Sequence, residues 1–246
     1  WITGASSGIG KALAIKFASE GWQVAASARR ENLLQELNKD NPKIHSFPLD
    51  VTDGSLCKKV FNNIVEKFQI IDICVFCTGI HDPQSEKKIS EEKIREIMEV
   101  NFFGTLNCIM AVNIYFREKQ SGHISIVSSV AGYRGFPAAS GYCASKAALT
   151  SLAESLYFDF KRYNVRVSLI SPGFIKTPMT DKNKFPMPMI KSAEYAAEKM
   201  FVGLTKQNVF EIHFPKTLTM IMKLLKIIPN WLFFLIVGRG IKKIKL

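Results

Sequence analysis

The sequence predicts an α/β fold: a doubly wound parallel sheet with helices on both faces, followed by a short apolar and basic helical tail. Three observations carry this. Short apolar runs alternate with segments of helical periodicity along most of the chain, the pattern of a parallel sheet whose crossovers cover it on both faces. The unusual residues fall just after the apolar runs, where the carboxyl ends of strands in such sheets hold ligands. The 246 residues, 47% hydrophobic, suffice for one large core.

The elements follow in order. Only Trp1 and Ile2 precede a glycine loop, so most of the first strand is expected to lie before Trp1. A helix over Ile9–Ser19, stopped by Gly21, leads to a strand at Val24–Ala28. Then come a helix at Glu31–Asn38, a strand at Ile44–Leu49, a helix at Ser55–Phe68 and a strand at Ile71–Phe76. Helices over Glu91–Val100 and Thr105–Glu118 lead to the strand "HISIVS", and a long helix over Tyr142–Arg162 leads to "VRVSLIS". A helix at Ala193–Leu204 precedes "VFEIHF". Residues 1–214 are read as one domain and 215–246 as an amphipathic tail.

Net charge is +12, which raises nucleic acid as a partner. Seven Lys/Arg and no acid lie from Ile212 onward, so more than half of the excess is in the tail, and no groove-reading element accompanies it. No nucleic-acid role is expected. Five cysteines do not form an obvious disulfide framework and point to a reducing compartment. Cys74 and Cys77 have C-x-x-C spacing within "IIDICVFC". On a strand, positions three apart face opposite ways, so neither a redox pair nor a metal site is expected.

The loop Gly4-Ala5-Ser6-Ser7-Gly8-Ile9-Gly10 joins an apolar strand to a helix. A turn without side chains lets a phosphate approach bare N–H groups at a helix start, where the dipole adds partial positive charge. Its spacing, G-x-x-x-G-x-G, lacks the Lys-Ser/Thr of a P-loop, which argues against kinases and ATPases. A tight turn with nothing bound is the rival until other residues are added.

Tyr142 and Lys146 lie four apart at a helix start and share a face. A phenol with an ordinary pKa near ~10 is a poor acid at neutral pH, but an ammonium beside it favours the phenolate. Tyr142 is then suited to proton transfer. Ser129, at the end of the preceding strand, is placed to hydrogen-bond a carbonyl or alcohol oxygen.

Taken together, T-G-x-x-x-G-I-G at Thr3–Gly10, Asn101 in "VNFFG", Ser129 thirteen residues before Tyr142, Lys146 and "SPGFIKTPM" at Ser171–Met179 resemble the short-chain dehydrogenase/reductase family. The resemblance runs from Thr3 to about Phe214 and is to the compact kind. It implies a Rossmann-like fold, a nicotinamide cofactor and hydride exchange with a carbonyl or secondary alcohol. It implies Tyr142 as general acid/base, with Lys146 lowering its pKa and holding the nicotinamide ribose. Ser129 would orient the substrate oxygen and Asn101 support a water-linked proton relay. Pro172, Gly173, Ile175 and Thr177 match positions at the nicotinamide end, Asp50 and Val51 those beside the adenine, and Gly4, Ser6, Ser7, Gly8, Ile9 and Gly10 the pyrophosphate loop. Gly79 matches too, but Phe76-Cys77-Thr78-Gly79 stands where the family usually has Asn-Asn-Ala-Gly. Cys77 is a weak substitute for an Asn that carries backbone hydrogen bonds.

The second strand ends in "SARRE" rather than in an acid that would hold a ribose 2′-hydroxyl. Arg29 and Arg30 would pair a 2′-phosphate, favouring NADP(H) over NAD(H). The loop 178–192, with Met179, Phe185, Met187 and Met189, reads either as an adaptable apolar lid or as core packing. In the tail the longest uncharged run, Ile227–Gly238, has twelve residues, below the ~18 to 20 that span a bilayer. Two readings of 217–246 stand: interfacial membrane contact, or a cap on the subunit's own pocket or a neighbour. The expectation is a cytoplasmic NADP(H)-dependent oxidoreductase for an apolar, lipid-like substrate, homodimeric or homotetrameric by family resemblance, peripheral on a membrane if the first tail reading holds. The alternative is a cofactor-binding regulatory or scaffold protein of the same fold without turnover.

Overall fold

The computed structural model describes residues 1–83, 89–183 and 185–244, with the backbone alone for 240–244. Seven strands form one parallel sheet: β1 (Ile2–Thr3), β2 (Val24–Ser27), β3 (Ile44–Ser46), β4 (Ile73–Phe76), β5 (Gly122–Val127), β6 (Val165–Pro172) and β7 (Glu211–Phe214), in the order β3-β2-β1-β4-β5-β6-β7. The order reverses direction at β1, which makes the carboxyl ends of β1 and β4 the crevice of the sheet.

On one face pack α1 (Gly8–Ser19), α2 (Glu31–Asp40) and α7 (Ala193–Thr205), through Leu13, Phe17, Leu34, Leu37, Met200 and Phe201. On the other lie α3 (Gly54–Phe68), α5 (Gly104–Lys119) and α6 (Ser140–Lys161), through Phe61, Ile64, Val112, Phe116, Leu149 and Phe160. Several helix starts carry the expected side-chain acceptors: Asp53 Oδ1 receives Leu56 N–H at 2.9 Å, and Ser192 Oγ receives Tyr195 N–H at 3.2 Å. Cys74 packs on one face of the sheet and Cys77 against the other, as their spacing on a strand requires.

Several boundaries differ from the sequence reading. β3 stops at Ser46, although Phe47 and Leu49 still donate to Ala26 and Ala28; Pro48 between them lacks an N–H on the outer, unpaired side of this edge strand. β4 starts at Ile73, not Ile71. The two helices expected to be separate near residue 101 are continuous: α4 (Glu91–Met98) runs through a π-helical stretch, Glu99–Phe103, into α5. Gly104 is there for close packing, since a Cβ on it would lie 2.5 Å from Val51 Cγ2. This long helix has the length and composition to cross a membrane, but Cys108, Ile109, Val112 and Phe116 place it in the core.

The tail forms α8 (Lys216–Ile227) and α9 (Asn230–Ile244), separated at Pro229. Their inner faces pack on the subunit itself: Leu218 and Met222 join Val130 and Tyr133 in a small apolar cluster, and Phe233 lies under Phe136 and Arg134. Lys242 and Lys243 fall where only the backbone is described, and Lys245 and Leu246 lie outside the described residues.

Candidate active site

A cleft of about 410 Å³ opens at the carboxyl ends of the strands. Its lining brings together Gly4, Ser6, Ser7, Gly8, Ile9, Gly10, Arg29, Arg30, Asp50, Val51, Gly79, Ser129, Tyr142, Lys146, Pro172, Gly173, Ile175 and Thr177. Of the site residues the sequence singles out, Asn101 alone stands behind this surface.

Two glycines show why the first loop is bare. A Cβ on Gly10 would sit 2.3 Å from Gly4 O, so no other residue fits. Gly8 has φ +56°, and its Cβ would meet the Thr177 side chain at 3.1 Å. The loop and the segment after β6 thus nearly touch across the cleft. Arg30 reaches over the loop and donates to Ser6 Oγ at 2.8 Å and Ser7 Oγ at 2.7 Å. A guanidinium and two hydroxyls gathered on an open rim form a donor set suited to a phosphate, so the residues present fit a phosphorylated dinucleotide. Asp50 is held by Thr52, whose N–H and hydroxyl both donate to its Oδ1.

The segment after β4 is fastened from two sides. Thr3 Oγ1 receives the N–H of Cys77 at 3.1 Å and of Thr78 at 3.4 Å. The Asn101 amide accepts Ile80 N–H at 2.7 Å and donates to Ile80 O and to Ser145 Oγ, each at 3.0 Å. The backbone after β4 is thus held by the side chains of Thr3 and Asn101. Burial pushes the Cys77 thiol up to about 11, so it stays neutral at physiological pH.

At the inner end, Lys146 is 4% exposed. Its Nζ donates to Val127 O at 2.9 Å and lies 5.7 Å from the Tyr142 ring centre. Burial brings its pKa down to about 8. Ser129 caps a short turn, its Oγ accepting Ala131 N–H at 3.1 Å, which leaves its own proton to donate.

One feature was not anticipated. The His81 ring lies against Tyr142, centroids 4.4 Å apart. The only hint in the sequence is its position two residues past Gly79, on a loop at a strand's carboxyl end. Helix α8 packs behind the Pro172-Gly173 turn, where a Cβ on Gly173 would lie 2.6 Å from Leu218 Cδ2, so the tail rests against its own subunit next to the cleft. In the loop after Thr177, Met179 lines the cleft and none of Met179, Phe185, Met187 and Met189 is buried, against the core-packing alternative.

A family model described as short chain dehydrogenase matches residues 1–188. An uncharacterized oxidoreductase of Myxococcus xanthus is 34% identical over 236 residues, covering 94% of this chain and 93% of that protein. The 3-oxoacyl-acyl-carrier-protein reductase FabG of Thermotoga maritima is 36% identical over 185 residues, 74% of this chain and 75% of its own. Among solved structures, a short-chain dehydrogenase from Streptomyces avermitilis aligns with a TM-score of 0.79 at 24% identity, covering 97% of both chains.

Proposed function

This chain belongs to the short-chain dehydrogenase/reductase family, and from that premise we propose that it is an NADP(H)-dependent oxidoreductase interconverting a carbonyl and a secondary alcohol on an apolar, lipid-like small molecule. The observation that carries the reading is the meeting of Tyr142, Lys146 and Ser129 at one end of the cleft, with the Lys146 ammonium buried. Residues 1–214 are taken as the unit that binds cofactor and substrate.

Bound at the glycine loop, NADP(H) would supply or accept the hydride. The chain's residues do the rest. Gly4, Gly8 and Gly10 admit the pyrophosphate, and Arg30 with Ser6, joined by Arg29, receives the 2′-phosphate; this arginine pair supports NADP(H) over NAD(H). Ser129 donates its free proton to the substrate oxygen. Tyr142 gives a proton to that oxygen during reduction and takes it back during oxidation. Lys146, held by Val127 O, keeps positive charge beside the phenol. The Asn101 side chain, engaged with Ile80 and Ser145, supports a positioning role for that residue.

Ile80 and Met179 in the cleft lining support an apolar substrate. Exposed Phe103 at the end of the π-helical stretch, Met110 and Ile114 on α5 and Phe158 on α6 support assembly into a dimer or tetramer. We place the protein in the cytoplasm, resting on a membrane through the outer face of its tail; five free cysteines support a reducing compartment. Consumption of NADPH in the presence of a chain-length series of aliphatic ketones and aldehydes tests the reading. Failure of every carbonyl, with NADPH still bound tightly, would favour the cofactor-binding regulatory alternative.

A further inference from the structure

Glu211 stands at the start of the edge strand β7, outside every motif the sequence singled out. Its carboxylate gathers donors from three separate elements. Tyr133 and Ser171 both donate to Oε1, the serine at 2.7 Å, and Lys223 Nζ on α8 lies 2.5 Å from Oε2. Each partner belongs to a part of the site. Tyr133 follows the turn that Ser129 caps, joined to it by Gly132 N–H donating to Ser129 O at 2.9 Å and Tyr133 N–H donating to Val130 O at 3.1 Å. Ser171 immediately precedes Pro172-Gly173, and Gly173 N–H donates to Phe214 O on the same strand as Glu211. Lys223 brings the tail helix whose Leu218 touches Gly173. The lysine neutralises the carboxylate, and the two hydroxyls fill one of its oxygens, so the group is satisfied where it stands.

We propose that Glu211 is a positioning residue. It fixes the Ser129 turn and the Pro172-Gly173 turn relative to each other and ties α8 behind the second of them. The proposal rests on the reading of Ser129 as the group that orients the substrate oxygen. The carboxylate touches neither substrate nor cofactor; it acts through Tyr133 and Ser171. The adenine end, built from the glycine loop and Arg30, is remote from all three partners in the sheet order; the greater part of NADPH affinity is set there, and only the nicotinamide end at Pro172-Gly173 adjoins them. An ordinary surface ion pair would not behave this way, because its loss changes little anywhere.

The test uses the full chain and the carbonyl compound it reduces best. Glu211→Gln, Tyr133→Phe and the double variant are compared for kcat, KM, NADPH Kd and unfolding midpoint. Each single change is expected to lower kcat/KM for the carbonyl by about tenfold with NADPH Kd within about twofold, and the double to lose no more than the worse single, since both cut one connection. Unchanged kcat/KM in both singles, losses that multiply in the double, or a parallel loss of NADPH affinity would each overturn the proposal. If Glu211→Gln does not fold, Tyr133→Phe, which deletes one hydroxyl, decides alone: reduced kcat/KM at an unchanged unfolding midpoint upholds it, and unchanged kcat/KM overturns it. A wild-type chain that reduces no carbonyl overturns both this and the functional reading, whereas an active wild type with indifferent variants overturns only this one.

Discussion

The Lys146 ammonium lies 5.7 Å from the centre of the Tyr142 ring while its hydrogen bond runs the other way, to the Val127 carbonyl at 2.9 Å. The lysine is thereby fixed by the sheet and acts on the phenol through its charge. Tyr142→Phe removes the transferable proton and leaves that frame standing. Turnover is expected to fall by at least about a thousandfold, within the range assigned to positioned acids and bases, while NADPH titration gives the wild-type Kd. Retention of most of the rate would refute the assignment.

Burial of Lys146 has a stability cost with a definite pH window. Its folded pKa, about 8, lies below the ordinary 10.5, so between those values the unfolded chain binds more protons and stability of the apoprotein rises with pH. Below pH 8 the full penalty applies, on the order of 3 kcal/mol from the size of the shift. Lys146→Met is therefore expected to raise the unfolding midpoint of the apoprotein at pH 7 while abolishing turnover, and to flatten the rise above pH 8. Denaturant unfolding of both proteins across pH 7 to 10 checks this; a less stable variant at pH 7 would contradict it.

Arg30 donates to Ser6 and Ser7 from the rim of the cleft, and Arg29 lines the same cleft. Arg30→Ala should lower kcat/KM for NADPH by about tenfold or more and that for NADH by less than about twofold, in line with the loss of a charge-assisted contact to a phosphate. Arg29→Asp should move the preference further toward NADH. Equal efficiency of the two cofactors in the unmutated chain would remove the basis of the assignment.

The outer face of the tail carries Leu224, Ile227, Trp231 and Phe234, with Trp231 68% and Phe234 66% exposed. Seven Lys/Arg and no acid accompany it from Ile212 on. Apolar insertion and attraction to anionic headgroups, at about 1 kcal/mol per basic residue near the surface, would act together. The full chain is expected to sediment with anionic vesicles, less so in high salt, and Trp231→Ser/Phe234→Ser to weaken this with an unchanged unfolding midpoint. Truncation is a poorer test, because Leu218, Met222 and Phe233 are packed on the body. If the double variant instead shifts the sedimentation of the protein alone, the face covers another subunit.

Much of the site was legible because its chemistry is local. Gly4, Gly8 and Gly10 sit within seven residues, Tyr142 and Lys146 within one helical turn, and the sheet brings strand ends together by topology. What was not legible depends on contacts far apart in sequence. His81 meets Tyr142 across 61 positions, counted from their numbers, and Thr3 holds the backbone N–H of Cys77, 74 positions away. The break expected between Val100 and Thr105 does not occur, for a similar reason: Gly104 lies inside the continuous helix, where Val51 from another element leaves no room for a side chain.

The two edges of the sheet bear on how this chain avoids its own kind before it is folded. A parallel sheet assembles from distant segments and forms slowly, so its open borders would be templates for other chains during that interval. Here β3 is three residues long and runs into Pro48, and β7 is four residues long and runs into Pro215. Each border offers few free N–H groups and then a residue with none. Aggregation by strand addition is thereby discouraged at both ends of the sheet, and a change such as Pro48→Val, which would restore a donor on the free edge, carries that hazard even where the folded enzyme tolerates it.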